Sequence, residues 1–202
     1  MPTLRTSPLR ARRALLALLA IGLASLSAAA RLFAQDVAVP VEVQVPLFIK
    51  IFAFDRNLAA QPGPLVLGVL FQGKYRSSVT VAEHVRQAVG DAGRKTAGGS
   101  ELRIVLIDLD ETPDLAEALT RNRVRVLYVS PLRAVDIRTL TAVSRLAGIS
   151  TVTGVPRYVE AGLAVGLDLK GERPEIVVNL LASRAEGADL DAQLLKLARI
   201  VQ

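Results

Sequence analysis

Few side chains in this sequence could do covalent chemistry. His84 is the sole histidine and cysteine is absent, so neither a thiolate nucleophile nor a His/Cys zinc cluster can be assembled. His84 lies inside "VTVAEHVRQAVG" (79–90), a helical pattern that puts it on a surface or half-buried face, and no serine has an evident histidine partner for a triad. Asp108, Asp110, Glu111 and Asp114 offer oxygen ligands of the kind hard cations take. The same acids, just ahead of a helix, favour its positive N-terminal end, and that simpler role is the expectation. "GKYRSS" (73–78) lacks the first glycine and the Gly-Lys-Ser/Thr order of a phosphate loop. The chain is expected to hold no catalytic residue, no metal and no cofactor.

Binding has a better candidate in "TVTGVPRYVEAG" (151–162), where a β-branched run is followed by Gly154, Pro156 and Gly162 around the charges Arg157 and Glu160. Upstream, Ser130 suits a helix N-cap and Pro131 a first helical residue. The free N–H groups of such a helix could hold an anion, with Arg133 and Arg157 as counter-charges. The predicted ligand set is Ser130, Arg133, Thr153, Gly154, Arg157 and Glu160. The structural alternative is that Ser130 only caps, Gly154 and Pro156 only turn the chain, and both arginines are solvated.

The elements that must position these residues follow from periodicity. Residues 36–45 read as an extended lead-in, and Pro46 as the first turn of a helix running to about Leu58. Leu47, Ile51, Phe54 and Leu58 form one stripe of it, widened by Phe48 and Phe52. So much apolar circumference implies deep burial or an interface, and Phe48 and Phe52 are the candidate interface residues. Apolar runs at 65–70, 102–107, 124–130 and 149–153 read as buried strands. Between them come helices at 79–91, after Asp114, and over 131–147, the last closed by Gly148. Alternation at 163–180 around a Lys170–Arg173 turn predicts a hairpin, and Leu190, Leu194, Leu197, Ala198 and Val201 predict a terminal helix. The expected fold is α/β: a single domain whose mainly parallel sheet is flanked by helices on both faces, with a C-terminal antiparallel hairpin and terminal helix. Ligands in such sheets bind beyond the carboxyl ends of the strands, where loops 71–78, 108–113, 130–133 and 154–162 fall.

Arg5, Arg10, Arg12 and Arg13 precede an apolar run from Ala14 to Ala30, with no acidic residue before Asp36. That pattern predicts a signal peptide over 1–34, an exported domain over 35–202 and a periplasmic location. Five of the 25 Lys and Arg precede residue 35 while all 19 Asp and Glu follow it, so the exported part is nearly neutral. Nucleic acid is thereby excluded as a partner. The chain lacks tryptophan, which argues against stacking platforms for bases or sugars.

In order along the chain, "VPLFIKIFAFDRNL" (45–58), "LVLGVL" (65–70), "VLYVSPLRA" (126–134), "STVTGVPRYVEAGLAVGL" (150–167) and "PEIVVNLLASRAEGADLDAQLLKLARIV" (174–201) resemble the YfiR family of periplasmic proteins (YfiR/HmsC-like). Asn179-Leu180, Ala182–Arg184 and Leu194–Arg199 carry the family's tail pattern. The resemblance implies an α/β periplasmic regulator, not an enzyme. It would act as a homodimer that restrains an inner-membrane diguanylate cyclase through the cyclase's periplasmic part, and an outer-membrane lipoprotein would relieve the restraint by sequestering it. "DRNLAAQPG" (55–63) replaces the Trp-Pro that often ends the first helix in the family. The cysteine pairs of several members are missing, so redox control does not operate here. A periplasmic solute-binding protein using the ligand set above is the alternative from a different class.

Overall fold

The structure, a computed structural model, describes residues 37–93, 95–96 and 99–201. The expected signal peptide over 1–34 lies outside the described residues, as do Gln35 and Asp36. The described part begins with a short segment leading into α1 (Val41–Phe52), and α2 (Arg56–Ala59) follows. Then come β1 (Leu65–Phe71), α3 (Arg76–Asp91), β2 (Leu102–Asp108), α4 (Leu115–Arg121), β3 (Val126–Val129), α5 (Ile137–Ala147), β4 (Ser150–Thr153) and α6 (Pro156–Glu160). The chain closes with β5 (Val165–Lys170), β6 (Arg173–Asn179), α7 (Leu180–Ala185), α8 (Ala192–Leu197) and β7 (Arg199–Val201).

The seven strands form one sheet in the order β2-β1-β3-β4-β5-β6-β7. β1 to β5 are mutually parallel, β5 and β6 form the antiparallel hairpin, and β7 runs parallel to β6. Buried strands alternate their side chains between two cores. Leu67, Val69, Val126, Tyr128 and Val152 face α1, α3 and α8, while Val66, Leu70, Leu127, Val129 and Ile149 face α4, α5 and α6. The α/β class, the helices on both faces, the hairpin and a helix near the C-terminus match the sequence expectation.

Short helices at Pro156–Glu160 and Leu180–Ala185 and an earlier start of α3, at Arg76, depart from the expected loops, and three further boundaries differ. First, α1 starts at Val41, so Pro46 lies inside it and not in its first turn. Proline there removes the bond to the Glu42 carbonyl; Glu42 and Pro46 are both exposed, so water can serve that carbonyl. The predicted continuation to Leu58 is broken after Phe52, and Asp55 caps α2 by accepting from the N–H groups of Asn57 (3.0 Å) and Leu58 (3.3 Å).

Second, α5 begins at Ile137, and its N-cap is Asp136, whose carboxylate accepts from Arg138 N–H at 2.9 Å. Ser130 is fully buried at the end of β3 and caps nothing; its hydroxyl has no hydrogen-bond partner. Gly148 does close the helix, in the left-handed conformation at φ 61°. Asp136→Ala is therefore expected to cost about 1 kcal/mol, and Ser130→Ala to be neutral or slightly stabilising, because it deletes an unsatisfied buried hydroxyl. Urea midpoints for the two variants check this, and a larger loss from Ser130→Ala would reverse the assignment.

Third, the terminal helix stops at Leu197 and the chain turns into β7. Leu194 is buried as the helical stripe requires, but Leu197 is 73% exposed. Pairing Arg199–Val201 with Val177–Asn179 covers the open edge of β6. It also brings Arg199 to Asp168 (2.7 Å) and Glu175 (2.9 Å).

Candidate functional site

The sheet order places β2 on one side of β1 and β3 on the other, so the crevice expected of an open α/β sheet lies at the carboxyl ends of β1 and β3. The loops there are tied together. Gln72, after β1, accepts from the Arg133 N–H at 2.6 Å across the crevice. Asp108 accepts from the N–H groups of Gly73 (2.8 Å) and Asp110 (3.0 Å), and Asp110 accepts from Lys74 N–H (2.8 Å). Any side chain at position 73 would collide with the Asp108 carboxylate. Asp114 caps α4 through Glu117 N–H at 2.8 Å. The acidic run thus clamps the β1 loop and starts a helix, and no group of three His, Asp or Glu suited to a metal occurs among the described residues.

The segment before α1 lies on the same end of the sheet. Ala38 N–H donates to the Gly154 carbonyl at 3.3 Å, and Val39 is fully buried. Beneath it, the Tyr128 phenol donates to Gln44 Oε1 at 2.9 Å, and Gln44 Nε2 donates to the Val39 carbonyl at 2.5 Å. Burial holds the Tyr128 hydroxyl far above its ordinary pKa, so it stays a donor. A Cβ on Gly154 would meet the Gln44 amide at 2.3–2.6 Å, which is why this position takes glycine. Gly154→Ala is expected to cost about 2 kcal/mol by displacing the Gln44 amide from both of its bonds. In the Gln44→Ala background the cost should largely vanish, a coupling that a double-mutant cycle in urea reads directly.

The six predicted ligand residues distribute unevenly over this end. Ser130 and Gly154 follow the paired residues Val129 and Thr153 on adjacent strands. Thr153 is buried, its hydroxyl donating to the Val129 carbonyl (2.9 Å) and accepting from Val155 N–H (3.1 Å). Arg133, Arg157 and Glu160 are exposed, and the Arg157 guanidinium sits 5.6 Å from the centre of the Tyr158 ring. Tyr158 bridges the two loops, its hydroxyl accepting from Leu132 N–H (2.8 Å) and donating to Leu132 O (3.1 Å). No helix starts at Pro131, so the N–H groups expected there for an anion belong to loop residues. Phe48 and Phe52, the candidate interface residues, are 3% and 5% exposed and lie in the core. Phe48 meets Tyr128 edge to face at 6.1 Å. His84 is half-exposed and pairs with Glu42 at 3.6 Å.

A second buried polar group escaped the sequence reading. Glu186, just beyond α7, is 1% exposed. Its carboxylate accepts from Ser144 Oγ of α5 (2.7 Å), Thr151 N–H of β4 (2.8 Å) and Thr151 Oγ1 (2.9 Å). Burial pushes its carboxyl up to about 7, only partly offset by those donors and by Arg145. Nothing in "SRAEGAD" (183–189) marks this glutamate. Gln44 did have a signal: it is polar on the buried side of an apolar helix, one turn before Phe48.

Among solved structures, the chain resembles the ABC domain in complex with L-Trp from Streptococcus pneumonia, at 15% identity and a TM-score of 0.59, over 80% of this chain and 62% of that one. It also resembles a conserved domain protein from Vibrio cholerae O1 biovar El Tor, at 14% identity and a TM-score of 0.56, over 81% of this chain and 60% of that one. The chain thus spans about three fifths of the length of these neighbours, and the likeness shows a shared fold alone. No curated protein matches the sequence. A family model described as YfiR/HmsC-like matches residues 61–199, from the turn before β1 to the first residue of β7, so the chain belongs to the YfiR/HmsC-like family.

Proposed function

We propose that this protein is a non-enzymatic periplasmic regulator of cyclic di-GMP signalling that represses an inner-membrane diguanylate cyclase by contact with the cyclase's periplasmic part. The family match over residues 61–199 carries the reading. It is supported by the roles of the residues considered for chemistry: Asp108, Asp110 and Asp114 bind backbone N–H groups, and His84 pairs with a surface glutamate. Export through cleavage after residue 34, a homodimer and relief by an outer-membrane lipoprotein belong to the same proposal. Among the described residues no helix is long and apolar enough to cross a membrane. Repression needs only that the regulator bind one conformation of the cyclase better than the other, and a difference of about 1–3 kcal/mol suffices for a graded response. Solute binding, the alternative, is not better supported, since its neighbours show fold alone; the unpartnered Ser130 hydroxyl is the observation in its favour.

Cellular cyclic di-GMP in a deletion strain, with and without the complementing gene, tests the proposal. A rise on deletion that complementation reverses is the expected result. Unchanged levels across growth conditions would remove the cyclase from the account.

A further inference from the structure

At the amino end of the sheet, opposite the crevice, a cleft of about 130 Å³ opens between the end of α1, α2, the 61–65 turn, Thr96, Ser100 and Arg125, the residue before β3. Phe52, Leu58, Pro62, Pro64 and Leu65 supply its apolar walls, and among the described residues Arg125 is the one charged residue lining it. Arg125 is half-buried. Its backbone is committed to the sheet, the N–H donating to Val66 O at 2.9 Å and the carbonyl accepting from Ser150 N–H at 3.2 Å, while its guanidinium has no partner among the described residues. Asp55, beside the cleft at the start of α2, is buried and already accepts from the N–H groups of Asn57, Leu58 and Asp189.

A partly desolvated guanidinium without a counter-charge is costly, and it forms strong paired hydrogen bonds with a carboxylate when one arrives. Apolar walls with a few polar groups, here Arg125 with Gln61, Thr96 and Ser100, are the mixture found in small-molecule sites. The carboxyl end has the opposite character: the preceding segment lies on it, and Gln44, Tyr128, Thr153 and Tyr158 satisfy one another or the backbone there.

We propose that this amino-end cleft binds a small organic carboxylate with an aliphatic or aryl body, its carboxylate on Arg125 and its body against Phe52, Leu58 and Leu65. The site goes beyond the cyclase reading and stands or falls separately from it.

Titration calorimetry on the purified protein with sodium octanoate, and with octan-1-ol as the neutral probe, tests the site. Octanoate is expected to bind, and Arg125→Gln to weaken it by about ten- to a hundredfold, the range of a charge-assisted pair. Octan-1-ol affinity should change little in that variant. Arg125→Lys, which keeps the charge, should recover part of the loss, and Arg157→Ala, at the other end of the sheet, should leave octanoate binding unchanged. Circular dichroism of each variant establishes that it is folded. Absence of octanoate binding to the wild type, undiminished binding by Arg125→Gln, or loss of binding by Arg157→Ala would each overturn the proposal.

Discussion

Between about pH 4.5 and 7 this protein is expected to lose about 3 kcal/mol of stability through Glu186 alone, and Glu186→Gln is expected to abolish that loss. The folded-state value of about 7 lies above the ordinary 4.5, chiefly because burial disfavours the charged carboxylate. The native state therefore holds a proton that the unfolded chain has released. The contribution is fully present below the unfolded value, falls as pH rises through the window, and is gone above the folded value. Glutamine is neutral throughout and nearly isosteric. Its oxygen can accept from Thr151 N–H, and its NH2 can donate to the hydroxyls of Ser144 and Thr151, which now accept. Urea unfolding of wild type and variant at pH 5, 6, 7 and 8 should give curves that meet at the acid end and diverge in favour of the variant at the basic end. Parallel curves would show that Glu186 does not titrate in this window. Glu186→Leu should be destabilised at every pH, since it leaves the buried Thr151 N–H unpaired.

Phe48→Asp is expected to prevent folding. Removing a buried phenylalanine costs about 3–5 kcal/mol by itself, and an unpaired carboxylate against Tyr128 and the sheet adds a desolvation penalty. Domains of this size hold about 5–15 kcal/mol in total, so little remains. Val43→Asp, on the same helix but 41% exposed and near its positive end, should fold normally. The contrast separates core from surface: far-ultraviolet circular dichroism and thermal melts read folding, and cellular cyclic di-GMP reads the proposed contact with the cyclase. A folded, fully active Phe48→Asp protein would remove α1 from both core and interface. A folded Val43→Asp protein that no longer represses would place the contact on the outer face of α1.

Much of the fold was legible because its signals are local. The central strands β1 and β3 lie in the apolar runs "LVLGVL" and "VLYV", the pattern of strands covered on both faces. Gly148 announces the end of α5, and the alternation around Lys170–Arg173 announces the hairpin. The errors share one cause: a short-range rule met two residues able to satisfy it, and the chain's path decided between them. Ser130-Pro131 and Asp136-Ile137 are both good starts for a helix. The loop after β3 must first cross to Gln72 and Tyr158, which delays the helix to the second. Leu194 to Val201 fits a helix by spacing, but the open edge of β6 offers backbone partners to Arg199–Val201 that helical periodicity cannot register.

The sequence by itself determined the α/β class, the first six strands with their hairpin, and the absence of cysteine or paired-histidine chemistry, because composition and periods of two or 3.6 residues are properties of neighbouring residues. Tertiary structure alone decided that Glu186 is buried, that Gln44 sets the space beside Gly154, that Phe48 and Phe52 face inward, and that Arg125 lines a cleft without a partner among the described residues. Burial and pairing join residues far apart in the chain, as Ser144, Thr151 and Glu186 are joined, and no local pattern encodes which distant groups will meet.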